Sequence, residues 1–264
     1  MIIDFHVHCF PEEIAERAVA TLAEKADIPS RSDGTVAGIK ASMKKAGIDK
    51  SVVLSIATKP QQSKKITQWA ESVQDDSIIA FGSIHPDSTE WKDEMKRICE
   101  AGLKGLKFHP EYQDFYVDDP KLFPIYEKAA EMGLIIMFHA GVDLGFQPPV
   151  HCPPFRLKKV VRTFPGAKIV AAHMGGYDSW DDVERYLAGE SLYLDTSFSL
   201  DKMSREQFER LVGTHGWERL LFATDSPWKD QSEEVRILRG MNLSDKVLQA
   251  VSSGNAAKLL GLTC

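Results

Sequence analysis

The sequence predicts a single (β/α)8 TIM barrel, and three observations favour this fold class. Eight short apolar runs rich in Ile, Val, Leu and Phe alternate with longer amphipathic stretches along the 264 residues. Most of these runs are continuously apolar, as parallel strands buried on both faces are. No linker or low-complexity segment interrupts the alternation, so residues 1–264 are interpreted as one barrel domain with extra C-terminal helices. An open doubly wound sheet shares the alternation and is the competing fold.

The apolar runs define eight candidate strands. They are Met1–Val7, Ser51–Ile56, Ile78–Ser83, Leu103–Phe108, Leu134–Phe138, Lys168–Ala172, Leu192–Asp195 and Leu220–Ala223. Stretches with apolar residues at helical spacing fill the intervals. The predicted helices are Thr35–Ala46, Lys64–Val73, Thr89–Ala101, Pro120–Met132, Phe155–Phe164, Trp180–Leu187, Arg205–Val212 and Glu233–Arg239, with Ser244–Val251 and Ala256–Leu260 at the end. Gly47 follows the first helix, as glycine does where a helix ends in the left-handed conformation.

Composition and charge exclude several classes of protein. Hydrophobic residues make up 43% of the chain and charged residues 27%, a balance typical of a globular protein. The net charge of −6 disfavours a nucleic-acid binder, which needs a basic surface. No apolar run of membrane-spanning length and no signal peptide is present, which predicts a cytoplasmic protein that does not bind membranes. The four cysteines, which form no CxxC pair, are expected to be reduced: Cys9, Cys99, Cys152 and Cys264.

Six of the eight histidines lie at or just after predicted strand ends. They are His6, His8, His85, His109, His139 and His173, and Asp225 follows the eighth strand in the same way. The carboxyl ends of all strands in a parallel barrel meet at one face, where catalytic groups assemble. Each residue alone is as well explained by a hydrogen-bonded side chain at a strand end. Their joint placement favours a functional site.

His6 and His8 form a period-2 pair, so we expect both imidazoles to point to the same side of the first strand. Two such rings can bind one metal ion, although a lone HxH pair also occurs as barrel-filling side chains. His139 and Asp225 would complete a set of three imidazoles and one carboxylate. This set suits one zinc ion, with manganese, iron(II) or cobalt as alternatives.

Lys107 and His109 form a second period-2 pair on the fourth strand. One interpretation makes Lys107 a cation that faces the substrate, with His109 as a hydrogen-bond donor. The other makes the pair structural, with Lys107 pairing the internal acid Asp4. Asp4 precedes His6 by two residues, so we expect it to share the face of His6 and to support that ring or fill the barrel.

Seven segments resemble the amidohydrolase superfamily, in particular its amidohydrolase-related branch, which includes the aminocarboxymuconate semialdehyde decarboxylase-like enzymes. The segments are IIDFHVH, GLKFHP, IIMFHAG, IVAAHMGG, LYLDTS, LLFATDSPW and GNAAKLLGL, in the family's order along nearly the whole chain. The resemblance implies that His6, His8, His139 and Asp225 hold the metal. It also implies that His173 positions or deprotonates an attacking water or contacts the substrate.

Members of the family with two metals carry a carboxylated lysine or a glutamate on the fourth strand. Here that strand has Lys107 and His109 and no acid before Glu111, which favours one metal, with a carboxylated Lys107 as the alternative. With a metal-activated water, Asp225 would accept a proton and His173 would stabilise developing charge.

The resemblance leaves the reaction open. A hydrolase of a small molecule is the first interpretation. A non-oxidative decarboxylase, or a hydratase, of an unsaturated or aromatic carboxylic acid is the alternative. A related nuclease group has acidic ligands on the fourth strand, which this chain lacks, and a non-catalytic barrel would have no need of the gathered histidines.

Further residues are expected to contact a small substrate, possibly a carboxylic acid. Lys107 and Arg156 could hold a carboxylate, and His109 could donate a hydrogen bond. Trp228 and His151 could line the pocket, the latter from a Pro-containing loop, residues 141–154, interpreted as an active-site lid. A homodimer is possible from the sequence.

Overall fold

The computed structural model describes residues 1–262 and contains all eight predicted parallel strands. They are β1 (Ile3–Val7), β2 (Lys50–Leu54), β3 (Ile78–Phe81), β4 (Gly105–Phe108), β5 (Ile135–Phe138), β6 (Lys168–Ala171), β7 (Tyr193–Asp195) and β8 (Leu220–Leu221). Most of their residues are buried, as expected for strands covered on both faces. The expectation for Cys264 lies outside the described residues, and Cys9, Cys99 and Cys152 are unpaired.

The strands close into a ring, so the barrel prediction is confirmed over the open doubly wound sheet. Strands β1 to β3 and β4 to β8 pair in sequence order. At one seam, Gly82 N donates to Gly105 O at 2.9 Å, which joins the end of β3 to β4. At the other seam, Phe5 N donates to Phe222 O at 2.9 Å and Asp225 N donates to His6 O at 2.8 Å, which joins β8 to β1.

Helices surround the ring and include the two predicted at the end of the chain. They are α1 (Glu12–Ala26), α2 (Val36–Ala46), α3 (Ser63–Val73), α4 (Trp91–Glu100), α5 (Phe123–Glu131), α6 (Pro154–Thr163), α7 (Trp180–Tyr186), α8 (Arg205–His215), α9 (Gln231–Gly240), α10 (Asp245–Gln249) and α11 (Asn255–Leu260). Gly47 ends α2 with φ of 70°, as expected. Helix α1 was not predicted, because most of its apolar residues are alanines, which give a weak apolar signal. Within residues 1–262 no helix is both long and apolar enough to cross a bilayer.

One end of the barrel interior is closed by the chain itself. Ala256, Leu259 and Leu260 of α11 belong to the apolar cluster that contains Ile3 and Ile135, the first residues of their strands. The amino ends of the strands are therefore covered, and the carboxyl ends remain available for a site.

A β-bulge in β1 changes which side chains face the barrel interior. Asp4 is opposite Ser51 and Val7 is opposite Val53, so β1 has one residue more than β2 in this interval. Phe5 packs in the interior cluster, whereas Asp4 accepts hydrogen bonds from Thr224 Oγ1 at 2.6 Å and from Gln231 Nε2 of α9 at 2.7 Å. The expectation that Asp4 shares the face of His6 is wrong, because the bulge turns His6 inward and leaves Asp4 towards α9.

Candidate metal centre

A cavity of about 530 Å³ opens at the carboxyl ends of the strands. Five of the six strand-end histidines line it: His6, His8, His109, His139 and His173. Lys107 and Asp225 line the same cavity, although they are far apart in sequence. These five histidines, Lys107 and Asp225 are called the polar floor of the cavity. The sixth histidine, His85, is not among the lining residues, and its Nδ1 accepts a hydrogen bond from Asp87 N at 3.1 Å.

Three side chains of the floor form a tight group. His6 Nε2 and His8 Nε2 are 3.1 Å apart. Asp225 Oδ1 lies 3.3 Å from His6 Nε2 and 3.2 Å from His8 Nε2. His6 lies in β1, and His8 directly follows this strand. The backbone hydrogen bond from Asp225 N to His6 O at the barrel seam holds the Asp225 carboxylate beside both rings.

The surroundings of the two rings fix their tautomers. His8 Nδ1 lies 2.8 Å from the carbonyl oxygen of Leu54, and a carbonyl only accepts, so Nδ1 carries the hydrogen. His6 Nδ1 donates in the same way to Asp195 Oδ2 at 3.0 Å. Burial, followed by the neighbouring Lys107 charge, holds the pKa of His6 well below its ordinary value, so this imidazole is neutral. The Nε2 atoms of neutral rings with this tautomer present lone pairs to the cavity.

This arrangement fits a divalent cation. Two nitrogen lone pairs and a carboxylate oxygen repel one another unless positive charge lies between them. Bonds of about 2.0–2.2 Å to a metal place neighbouring ligand atoms roughly 3 Å apart, which matches the spacing of these three atoms. Burial raises the pKa of Asp225, but the facing imidazoles outweigh it and leave this pKa below its ordinary value, so the carboxylate is ionised.

His139, the fourth predicted ligand, lies in the same cavity but outside the tight group. Its ring stacks on His109 with centroids 4.1 Å apart, and its Nδ1 lies 3.1 Å from His173 Nε2. Its Nε2 is buried without a hydrogen-bond partner and faces Asp143 Oδ2 at 3.8 Å. His109, His139 and Asp143 form a second group of potential ligands. A shared ion between His139 and the first group stays a prediction.

Lys107 is fully buried, and its Nζ lies 3.4 Å from His6 Nε2. Among the described residues no carboxylate lies within ion-pair distance of this ammonium, so the alternative in which Lys107 pairs Asp4 is wrong. Burial lowers the pKa of Lys107 to about 8, although nearby acids such as Asp195 oppose the shift. The side chain therefore presents a cation to the floor of the cavity at neutral pH.

Two of the expected substrate contacts do not reach the cavity. Trp228 and His109 line it, whereas His151 and Arg156 do not. His151 Nδ1 lies 3.1 Å from Pro110 O and its ring packs against Tyr116. Arg156 donates from its Nη1 to Asp118 at 2.6 Å and lies over the same Tyr116 ring. Local partners thus hold both side chains outside the cavity lining, and we correct these two assignments.

Sequence reasoning missed three contributors to the site. Asp195 ends β7 and orients His6, and the LYLDTS segment that contains it carries part of the family resemblance but no role for this residue. Asp143 faces His109 Nε2 at 3.2 Å from a loop with no regular periodicity. Helix α1 supplies part of the cavity wall. Glu111, the first acid after β4, is not among the lining residues and accepts a bond from His151 N at 3.0 Å.

The barrel fold and the potential metal ligands in its cavity together define the class of the protein, a metal-binding α/β-barrel enzyme. The sequence profile of the amidohydrolase family matches residues 3–262, and the chain belongs to this family. A 2-amino-3-carboxymuconate-6-semialdehyde decarboxylase of Dictyostelium discoideum is 28% identical over 103 residues, which cover 36% of this chain and 29% of that relative. The match therefore spans less than a third of the relative's length.

Solved structures of low sequence identity share the fold. A 5-carboxyvanillate decarboxylase from Sphingomonas paucimobilis superimposes with a TM-score of 0.75 at 16% identity, covering 99% of both chains. The corresponding enzyme of Novosphingobium aromaticivorans, in complex with manganese and 4-hydroxy-3-methoxy-5-nitrobenzoic acid, gives a TM-score of 0.77 at 16% identity. That match covers 99% of this chain and 96% of the other.

Proposed function

We propose that the protein is a metal-dependent, non-oxidative decarboxylase of a small unsaturated or aromatic carboxylic acid. The observation that carries the proposal is Lys107, a fully buried ammonium beside His6 with no ion-paired carboxylate among the described residues. A buried charge is stable when an opposite charge accompanies it. A substrate carboxylate beside the His6–His8–Asp225 group would supply that charge.

The walls around the polar floor favour loss of carbon dioxide from a bound acid. Four aromatic side chains line the same cavity as the floor: Tyr112, Tyr177, Phe198 and Trp228. The conjugated part of the acid can pack against this surface while Lys107 holds the carboxylate, and the negative charge spreads into the conjugated system as carbon dioxide departs. The aromatic walls therefore suit the delocalised charge of the transition state.

The protein must also supply one proton. The bond between the carboxyl carbon and its neighbour breaks, the electron pair stays on the neighbouring carbon, and that carbon takes up a proton. We assign this transfer to Asp225, whose ionised carboxylate faces the cavity and can take a proton from solvent or a substrate hydroxyl and pass it on. His173 donates its Nδ1 hydrogen to Ser197 O at 3.0 Å, which fixes its ring with Nε2 towards His139 and the floor.

His6, His8 and Asp225 would hold the metal, with His139 as the further ligand named from the sequence. A bound divalent ion supplies positive charge that polarises a substrate oxygen and draws electrons from the breaking bond. The imidazole-rich set suits zinc. Manganese is the second choice, supported by its presence in the Novosphingobium aromaticivorans relative.

The relatives named above are decarboxylases, which supports decarboxylation over hydrolysis, our first interpretation of the sequence. Hydrolysis is the second candidate, because the ionised Asp225 could equally accept a proton from water.

The test is to incubate the metal-loaded enzyme with acids labelled with ¹³C at the carboxyl carbon. The panel contains hydroxybenzoic acids, methoxyhydroxybenzoic acids and unsaturated dicarboxylic acids, and a parallel panel contains esters, amides and lactones. We expect labelled carbon dioxide and bicarbonate by NMR from at least one acid, and none with Asp225→Asn. Turnover confined to the ester, amide or lactone panel would replace the proposal with hydrolysis.

A further inference from the structure

We propose that the cavity contains a second, apolar arm, which binds an apolar substituent of the substrate several carbons long. This inference rests on the proposed function for the acid group and extends it to the rest of the molecule. The floor of histidines, Lys107 and Asp225 would bind the carboxylate end, and a trough between α1 and α3 would bind the substituent.

Helix α1 supplies one wall of the arm. Four of its apolar residues, spaced four apart on one stripe, line the cavity: Ile14, Ala18, Leu22 and Ala26. Ala15 and Val19, on the adjoining part of the same face, are buried in the protein. The apolar face of the helix is therefore wider than the part that the described chain covers. At about 1.5 Å per residue, the open stripe is about 18 Å long.

Helix α3 supplies the opposite wall with Ile66 and Trp69, which are only partly buried and line the same cavity. The arm is open to solvent at Ile14, which is 38% exposed. The cavity volume of about 530 Å³ falls in the range of roughly 300–1,000 Å³ typical of sites for drug-sized ligands, which is more than a single-ring acid fills.

We infer that the substrate itself occupies the arm, because the arm and the polar floor belong to one cavity. A substrate whose carboxylate is fixed near Lys107 can extend directly between the two helices, and it would bury apolar surface that is otherwise exposed to water. The hydrophobic effect makes such burial favourable. A second copy of the chain covering the same face is the alternative occupant.

The experiment measures binding of benzoate, 4-butylbenzoate and 4-octylbenzoate to the metal-loaded enzyme by calorimetry, below the micelle concentration of each. We expect affinity to rise roughly two- to fourfold per added methylene along the series. Ala18→Trp fills the arm and should lower the ratio of octyl to unsubstituted affinity about tenfold or more. Ala20→Trp, on the exposed face of the same helix, is the matched control and should leave the series unchanged.

A flat affinity series with measurable benzoate binding would overturn the arm, as would an equal effect of both tryptophan variants. Thermal melting checks that Ala18→Trp folds, and Leu22→Gln is the second variant, expected to weaken binding of the octyl probe. A dimer in solution that Ala18→Trp dissociates would assign the face to a second copy instead. A rising series without carbon dioxide release from any acid would support the arm and contradict the proposed function, so the two failures are distinguishable.

Discussion

The Asp195 carboxylate accepts a hydrogen bond of 3.0 Å from His6 Nδ1, and this contact determines which nitrogen of His6 faces the cavity. The other oxygen of Asp195 accepts bonds from the backbone nitrogens of His173 and Ser197, each at 3.0 Å. The carboxylate is therefore fixed from three directions. The candidate metal centre thus depends on a residue of β7 that is not one of its proposed ligands.

Asp195→Asn should weaken metal binding, because an amide can present its NH₂ group to His6 and favour the wrong tautomer. Changes to such supporting groups typically lower metal affinity about 10- to 100-fold. Titration of metal-free protein with zinc and with manganese measures the effect. Asp201→Asn, in the loop that follows β7, is the control and should bind metal like the unmodified protein. Equal affinity of both variants would show that Asp195 has no role in orienting His6.

Lys107→Met should remove the anchor for the substrate carboxylate while keeping the length of the buried side chain. Because a charged hydrogen bond in a buried site is lost, we expect kcat/KM for the acid substrate to fall at least about 100-fold. The metal content, measured by elemental analysis, should be retained. Loss of the metal together with activity would instead indicate that Lys107 takes part in metal binding, as a carboxylated lysine would.

His151→Ala should leave KM for the acid within about twofold of the unmodified value. The ring contacts Pro110 O and Tyr116 and does not line the cavity. Steady-state kinetics on the same acid as for Lys107→Met provide the measurement. A large increase in KM with normal metal content would restore the role that we expected from the sequence.

Glu234→Gln should stabilise the protein at alkaline pH. Burial raises the pKa of Glu234 from 4.5 to about 8, although Lys229 Nζ, 3.7 Å from its Oε1, opposes the shift, and its Oε2 has no hydrogen-bond partner. Between pH 4.5 and pH 8 the Glu234 carboxyl binds more protons in the folded state than in the unfolded state, so the free energy of unfolding falls as pH rises. Glu234→Gln removes this fall in stability, which is on the order of 3 kcal/mol by pH 9.

Denaturant unfolding at pH 5 and pH 9 measures this difference between variant and unmodified protein. Glu233→Gln changes the exposed neighbouring acid and should show no such growth with pH. A difference that is equal at both pH values would contradict the assignment of the shift to Glu234.

The barrel was predictable because its evidence is local and repeated. Each strand must be apolar enough to be buried on both faces, and each helix needs one apolar stripe, so eight units leave eight signals in the sequence. Helix α1 escaped because most of its apolar residues are alanines, which mark an apolar face only weakly.

The chemical composition of the floor follows from the sequence: histidines and one aspartate at strand ends, with Lys107 among them. The grouping of these side chains depends on the tertiary structure. The bulge in β1 turns His6 inward and Asp4 outward, Asp195 selects the tautomer of His6, and the His139 ring stacks on His109 with its Nδ1 beside His173. These outcomes depend on contacts between residues distant in the chain, and the periodicity of one strand or helix contains no information about them.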